Sequence, residues 1–336
     1  MCFIIQIMKV AVFNTHKFEK EYLVDANDNK HELKLLDSYL NIDTTILAKG
    51  CEAICIFTQD NGSAPVLDKL HEIGVKHIAL RSAGYNNVDI PYAKSLGIRI
   101  VRVPDYSPNS IAEFTVAIIL ALNRKLIRSH YRIMEMNYSL DGLVGFDMNG
   151  KTVGIVGTGK IGRIAAKILH GFGCHILAYD TVIDQTLVEE CKATYTDLDS
   201  LCNQSDIISL HVPLKEQTHY LVNEAQIAKM KKGVMLINTG RGGLVNTQDV
   251  INGLKSQQIG YYGMDVYEEE EGLFFEDHSE DILQDDMIAR LMTLRNVMIT
   301  SHQAFLTDTA LKNIAETTIE NLDCLEKGLP CKNEVL

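Results

Sequence analysis

The sequence has few of the features that mark secreted, membrane-spanning or metal-binding proteins. None of its eight cysteines forms a C-x-x-C pair, which favours reduced thiols over a disulfide framework or a zinc site. No apolar stretch is long enough to span a bilayer. The apolar start Met1–Met8 lacks a basic leading segment and a small-residue cleavage site, so no signal peptide is predicted, and Met8 is an alternative start. These absences predict a cytoplasmic protein without a metal site or a membrane partner.

Basic patches and low-complexity segments are also lacking. The formal net charge is −12 and the pI is about 5.4, so the surface repels nucleic acid and anionic lipid, which bind to cationic surfaces. A small anion can still be attracted into a locally cationic cleft. With 336 residues, 46% of them apolar, and no internal repeat, the chain is long enough for two domains with one core each.

Apolar runs alternate with helix-like segments through most of the chain, which is typical of parallel sheets covered by helices. The first third contains the predicted strands Lys9–Phe13, Ala53–Phe57, His77–Leu80 and Ile98–Val103. A second series contains Thr152–Gly157, His175–Tyr179, Asp206–Val212, Val234–Asn238, Tyr261–Val266 and Val297–Thr300. The chain is therefore predicted to be an α/β protein with two doubly wound parallel sheets.

Two longer helices are predicted outside this alternation. Ser110 and Glu113 fit a capping box for a helix from Ile111 to about Arg132, which would leave the first domain or pack on a partner subunit. The tail from Thr307 to Leu325 has apolar residues at helical spacing. We expect the tail to pack on the first domain, which makes that domain discontinuous (1–104 and 303–336) around a middle domain (105–302).

A glycine-rich loop follows the first strand of the second series. Gly157, Gly159 and Gly162 form G-x-G-x-x-G, with Lys160 and Ile161 opening the next helix. Such a loop turns tightly, lets the backbone approach a pyrophosphate and offers helix N-terminal amides to it. Asp180 ends the following strand, where a carboxylate can accept the ribose hydroxyls of NAD and repel the 2′-phosphate of NADP. The pattern predicts an NAD site.

Three further residues lie just after predicted strands, where open α/β sheets bind their ligands. Arg241 follows Val234–Asn238, Glu270 follows Tyr261–Val266, and His302 follows Val297–Thr300. Reduction of a 2-keto acid needs a cation for the carboxylate, a proton donor for the forming alkoxide, and a group that keeps this donor protonated. Arginine, histidine and glutamate supply these three properties.

Each of these residues alone has an ordinary interpretation. Arg241 could form a surface or interdomain ion pair, and His302 is one of eleven histidines. Glu270 lies in the acidic run Glu268–Glu271, which could be a solvated loop. Their order after a dinucleotide loop is what favours the catalytic interpretation.

With these residues and spacings the sequence resembles the D-isomer-specific 2-hydroxyacid dehydrogenase family over nearly its whole length, from about Lys9 to Val335. The resemblance implies a Rossmann NAD-binding domain inserted into a flavodoxin-like substrate domain. It also implies that His302 is the acid/base, Glu270 its carboxylate partner and Arg241 the substrate anchor.

The same resemblance assigns the ligand contacts. It places Val212, Pro213 and Thr218 under the adenosine, and Thr239, Gly240, Arg241 and Asp265 near the nicotinamide. Substrate contacts would come from Arg81, Ala83 and Gly84, chiefly through backbone amides, and from Tyr106, Arg241 and Phe305. Without the family, Tyr106 could equally be a turn aromatic and Phe305 a core residue.

Within the family, the insertion 272–286 and the run from Ser301 to Thr307 resemble the branch that interconverts pyruvate and D-lactate. We therefore expect pyruvate reduction in a homodimer or higher homo-oligomer. Three alternatives stay open: a bulkier 2-keto acid on the same scaffold, an NAD-sensing corepressor-like binding protein, and a family member without activity.

Overall fold

The computed structural model describes residues 7–335, which fall into two compact units. The first runs to Ser107 and resumes at Leu306, and the second is Pro108–Phe305. The predicted boundaries, at 104 and 303, lie a few residues before these. Most of the Met1–Met8 start, including its predicted lack of a signal peptide, lies outside the described residues. Within 7–335, no helix combines the length and the apolar character needed to cross a bilayer.

The first unit is a parallel sheet with helices on its faces. Its strands pair in the order β2-β1-β3-β4-β5, which is the flavodoxin-like order that the resemblance implied. The first eight elements are β1 (Lys9–Val12), α1 (Lys17–Asn27), β2 (Glu32–Leu35), β3 (Ala53–Ile56), α2 (Ala64–Glu72), β4 (His77–Leu80), α3 (Ile90–Ser95) and β5 (Arg99–Arg102).

The second unit holds a seven-stranded parallel sheet in the order β8-β7-β6-β9-β10-β11-β12. Strand order reverses between β6 and β9, and dinucleotides bind at such a reversal in Rossmann folds. Its elements are α4 (Pro108–Arg124), α5 (Leu126–Met134), β6 (Thr152–Val156), α6 (Lys160–Gly171), β7 (His175–Tyr179), α7 (Gln185–Cys191), β8 (Thr194–Tyr195), α8 (Leu198–Gln204), β9 (Ile207–Leu210), α9 (Glu224–Ile227), β10 (Val234–Asn238), α10 (Thr247–Lys255), β11 (Ile259–Met264), α11 (Asp286–Met292) and β12 (Val297–Ile299).

The long helix expected from Ile111 to about Arg132 is instead two helices. Helix α4 begins at Pro108, because the fixed φ of proline suits a first helical turn, so Ser110 lies inside the helix and the predicted capping box is wrong. The helix ends where Lys125 adopts a left-handed backbone (φ 51°), and α5 then begins at Leu126.

The tail helix α12 (Asp308–Glu326) belongs to the first unit, where it packs on α1. The Thr307 hydroxyl caps it by accepting a hydrogen bond from the Ala310 amide at 3.2 Å. Its apolar residues, including Ile319 and Leu322, are buried in the cluster that also contains the inner face of β1. The helical spacing read from the sequence therefore corresponds to a core-facing stripe.

Candidate active site

His302 and Glu270 form a hydrogen-bonded pair in the second unit. The Nδ1 atom of His302 lies 2.8 Å from Oε1 of Glu270, and the two side chains are 19% and 25% exposed. Burial alone would raise the pKa of Glu270, but the His302 contact, the Tyr267 amide and the positive charge of Arg241 together hold that pKa below its ordinary value. The structure thus brings Arg241, Glu270 and His302 near one another, and their catalytic roles stay predictions.

Asp265 fixes the segment that carries His302. This carboxylate is fully buried just beyond β11, and it accepts hydrogen bonds from the Thr300 hydroxyl at 2.6 Å and from the Gln303 and Ala304 amides at 2.8 Å each. The His302 amide donates to the Asp265 carbonyl at 2.6 Å, and the His302 backbone has φ 52°. The carboxylate of Asp265 therefore positions this segment, and its predicted place near the nicotinamide stays a prediction.

The loop after β10 presents Arg241. Asn238 is completely buried, and its side chain accepts a hydrogen bond from the Gly240 amide at 3.1 Å and donates to the Arg241 carbonyl at 2.9 Å. One terminal nitrogen of Arg241 donates to the Gly240 carbonyl at 2.7 Å. The guanidinium is only partly buried and has further donors for an anion. Asn238 therefore shapes the loop from which Arg241 extends.

Gly242 lets this loop lie against the loop that carries Glu270. A Cβ added at Gly242 would come within 2.1 Å of the Tyr267 carbonyl carbon, a separation that backbone atoms never tolerate. The neighbouring Gly240 is less confined, since its nearest contact would be a Leu244 methyl at 3.3 Å. Close approach of two backbones at Gly242 thus sets the distance between the arginine and the glutamate.

The glycine loop between β6 and α6 fits a pyrophosphate. Gly157 has φ +97°, and a Cβ on Gly162 would come within 1.9 Å of the Gly157 carbonyl oxygen, so both positions require glycine. A Cβ on Gly159 would meet nothing within 4 Å, so the space beside this residue is open. Lys160 and Ile161 form the first turn of α6, whose amides would face the phosphate.

Asp180 follows β7 beside this loop. Its carboxylate accepts hydrogen bonds from the amides of Thr158 and Thr181 at 2.6 Å each. Burial alone would raise the pKa of Asp180, but amide hydrogen bonds, first among them that of Thr158, hold the pKa below its ordinary value. An ionised carboxylate at this position suits a ribose diol and would repel a 2′-phosphate, so these residues fit NAD.

The other predicted cofactor residues shape the loops beyond β9 and β10. The Thr218 hydroxyl donates to the Pro213 carbonyl at 2.7 Å and so closes the turn that begins after Val212. The Thr239 hydroxyl lies buried, 2.8 Å from that of Thr115. Their contacts with the cofactor stay predictions.

Arg81, predicted as a substrate contact, is a structural residue of the first unit. Its side chain is fully buried, donates to Glu19 at 2.9 and 3.0 Å, and also binds the carbonyls of Phe13, Asn14 and Cys55. Its amide donates to the Ile56 carbonyl at 2.9 Å. The guanidinium and the amide are both already paired inside the unit, and breaking the pairing of a buried cation would be costly. The prediction that Arg81 contacts the substrate is therefore wrong.

The remaining substrate predictions fall in both units. Ala83 and Gly84 follow β4 in a half-buried loop, and the Tyr106 carbonyl accepts a hydrogen bond from Asn313 at 2.5 Å within the first unit. Phe305 is buried at the end of the second unit. Their roles toward a substrate stay predictions.

The sequence reasoning missed three residues that organise the site. Asn238 and Thr300 hold the two loops described above, and the ring centroid of Phe275 lies 5.9 Å from that of His302. An asparagine at a strand end followed by Thr-Gly is a recognisable turn signal, so Asn238 could have been found. Phe275 could not, because its contact depends on the path of an irregular insertion.

Comparison with known proteins gives consistent relatives. Residues 116–304 match the model of the protein family described as "D-isomer specific 2-hydroxyacid dehydrogenase, NAD binding domain". D-lactate dehydrogenase of Escherichia coli is 49% identical over 98% of this chain and 100% of its own, and its apo structure superposes with a TM-score of 0.90. The solved pyruvate reductase of Chlamydomonas reinhardtii is 42% identical, with a TM-score of 0.93 over 97% of this chain and 98% of its own.

A third relative was solved with ligands. D-lactate dehydrogenase from Aquifex aeolicus, complexed with NAD and lactic acid, is 33% identical, with a TM-score of 0.83 over 95% of this chain and 96% of its own. Its fold and those of the other two relatives agree with both sheets described above. This chain belongs to the D-isomer specific 2-hydroxyacid dehydrogenase family, as an NAD-dependent oxidoreductase whose NAD-binding domain is the second unit.

Proposed function

We propose that this protein is a D-lactate dehydrogenase that reduces pyruvate to D-lactate with NADH. The observation that carries the proposal is the His302–Glu270 pair, in which one ring nitrogen is held at 2.8 Å from a carboxylate and the other can exchange a proton with substrate. The names of the relatives from Escherichia coli and Chlamydomonas reinhardtii support the choice of pyruvate and D-lactate.

The chemistry divides between the cofactor and the protein. NADH, when bound, supplies the hydride that adds to the carbonyl carbon. Protonated His302 gives its Nε2 proton to the carbonyl oxygen, which becomes the hydroxyl of lactate. Glu270 stabilises the imidazolium before transfer, and Arg241 binds the carboxylate and offsets the negative charge that grows on the oxygen. Lactate oxidation is the reverse, and it begins with neutral His302.

The test is the rate of NADH consumption with pyruvate beside a branched 2-keto acid, hydroxypyruvate and oxaloacetate, followed by chiral analysis of the product. We expect pyruvate to have the highest kcat/KM and the product to be D-lactate. A preference for the branched acid would keep the family and move the substrate. No activity on any of the four would contradict the proposal and favour an NAD-sensing binding protein.

We also propose that the protein assembles as a homodimer. The segment 126–144 bears exposed apolar side chains, among them Tyr131 (66%), Ile133 (52%) and Leu140 (79%), and no side chain of α5 is buried. Beside it is a pocket of about 640 Å³, lined in part by Ile127, Tyr261, Val297 and other residues of the second unit. An apolar surface of this extent is typical of a protein contact. A second copy of this chain offers the same segment and the same pocket for such a contact.

The free state of the cysteine thiols supports a location of the protein in a reducing compartment. All seven cysteines of the described region are free, and five of them are buried. Burial raises the pKa of Cys174 and of Cys202 to about 11, which keeps both thiols protonated and unreactive. We therefore propose that the protein works in the cytoplasm.

A further inference from the structure

The loop that follows β4 has three successive carbonyl groups held by hydrogen bonds. The Ser82 carbonyl accepts from the Val103 amide at 3.1 Å. The Ala83 carbonyl accepts from Nη1 of Arg102 at 2.6 Å, and the Gly84 carbonyl accepts from the Ser82 hydroxyl at 2.7 Å. Two of these donors, Arg102 and Val103, lie at the end of β5 in the same unit, so the Ser82 and Ala83 carbonyls are held toward that strand.

This arrangement determines the direction of the amide groups. In a trans peptide the C=O and N–H bonds point in opposite directions, and the protein has no cis peptide among its described residues. The amides of Ala83, Gly84 and Tyr85 therefore point away from the donors that hold the preceding carbonyls. A hydrogen bond to each carbonyl strengthens the amide of the same peptide as a donor, so these amides are good donors for an anion.

Arg102 is the only charged group among these carbonyl donors, and its own position is fixed. Its backbone amide donates to the Asn333 carbonyl at 3.1 Å, and its carbonyl accepts from the Asn321 side chain at 2.8 Å. Its guanidinium carbon lies 5.3 Å from the centroid of the Tyr85 ring, so the cation touches the loop at two points. A charged donor polarises the Ala83–Gly84 peptide more than a neutral donor would.

We propose that Arg102 is a positioning residue for substrate binding: it orients and polarises the Ala83–Gly84 peptide so that the Gly84 amide binds the carboxylate of the 2-keto acid. This inference rests on the proposed function, which supplies a carboxylate substrate. Because Arg102 acts through the peptide and donates no proton, its loss should weaken substrate binding more than it slows hydride transfer.

The experiment replaces Arg102 by Met and measures steady-state kinetics with pyruvate and NADH. We expect the KM for pyruvate to rise about tenfold, the equivalent of one lost charge-assisted hydrogen bond, with kcat within about threefold and the KM for NADH unchanged. Arg102→Lys should recover part of the loss, since an ammonium group can also donate to the Ala83 carbonyl. The control is Arg99→Met, because Arg99 lies on the same strand but pairs with Glu334 at 2.8 Å.

Binding of oxamate, an unreactive pyruvate analogue, to the NADH complex gives a readout without turnover, and its Kd should rise in Arg102→Met by the same factor as KM. An unchanged KM and Kd would overturn the inference, as would an equal rise in Arg99→Met. If Arg102→Met does not fold, Arg102→Gln is used with the same expectations and the same criteria. Wild-type protein that reduces none of the 2-keto acids would instead contradict the proposed function.

Discussion

At the scale of single residues, the proposed reaction depends on the proton that His302 carries on Nε2 while its Nδ1 is held by Glu270. The chain has a second pair of the same geometry, in which Nδ1 of His278 lies 2.8 Å from a carboxylate oxygen of Asp281. That pair lies in the insertion after β11, while His302 lies on the segment fixed by Asp265. A histidine–carboxylate contact is therefore not sufficient for catalysis, and the charge of Arg241, which acts on Glu270, distinguishes the two pairs.

We expect His302→Gln to lower kcat for pyruvate reduction by at least about a hundredfold, because glutamine cannot transfer a proton to the forming alkoxide. Stopped-flow or steady-state NADH consumption measures the loss, and NADH binding should persist. His278→Gln is the matched control and should retain wild-type turnover. Turnover of His302→Gln within twofold of wild type would exclude the proton-transfer role.

Glu270→Gln should move the pH profile of pyruvate reduction to lower pH. The contact that lowers the pKa of Glu270 also favours the protonated imidazole, because the two effects are one interaction. Reduction needs the imidazolium that this contact stabilises, so in the variant we expect the alkaline decline of kcat/KM to begin at lower pH. The control is Glu269→Gln, an exposed neighbour in the same acidic run. A profile that does not move would contradict the pairing.

At the scale of elements, the site is made by loops that follow β10, β11 and β12 in one sheet. The three strands are neighbours and parallel, so their carboxyl ends lie at the same edge. This juxtaposition could be predicted from the sequence, because apolar runs identify buried parallel strands and each functional residue follows one of them. The distance between the loops could not be predicted, since it depends on the contact of Gly242 with Tyr267.

Gly242→Ala is expected to separate the Arg241 and Glu270 loops. The new methyl group would overlap the Tyr267 backbone, which cannot move aside as a side chain can. We expect kcat/KM for pyruvate to fall at least about tenfold and the free energy of unfolding to decrease by about 1–3 kcal/mol, measured by urea titration. Gly240→Ala, whose methyl would meet only a Leu244 side chain, should be close to wild type in both measurements. Equal effects of the two substitutions would refute this account of the loop spacing.

Some elements escaped prediction for physical reasons. Strand β2 has half-exposed and exposed residues in alternation at the edge of its sheet, and β8 has only two residues, so neither has a continuous apolar run. The break between α4 and α5 depends on the left-handed backbone of Lys125, a conformation that lysine rarely adopts and that no sequence rule indicates. Buried Arg81 escaped for a different reason: the resemblance implied a substrate contact there, while the partner of its side chain, Glu19, is far away in the sequence.

At the scale of the whole molecule, exposed apolar side chains of the acidic chain are concentrated in residues 126–144. Ile133→Asp together with Tyr131→Asp should convert the proposed dimer into a monomer, because each change places a charge on a surface that the second copy would desolvate. Sedimentation equilibrium or light scattering gives the mass directly. Ile282→Asp, at an 84% exposed position outside this segment, is the control and should leave the mass unchanged. A monomeric wild-type protein would contradict the proposal.

The left-handed backbone of His302 has a consequence for protein engineering. A non-glycine residue with φ 52° costs about 1 kcal/mol or more, and here the Asp265 contacts maintain that conformation. Glycine at this position would relieve the strain and abolish proton transfer in the same step. A directed-evolution campaign that selects for heat resistance alone would therefore enrich inactive variants at the catalytic position, and only a screen that couples survival to turnover would keep the histidine.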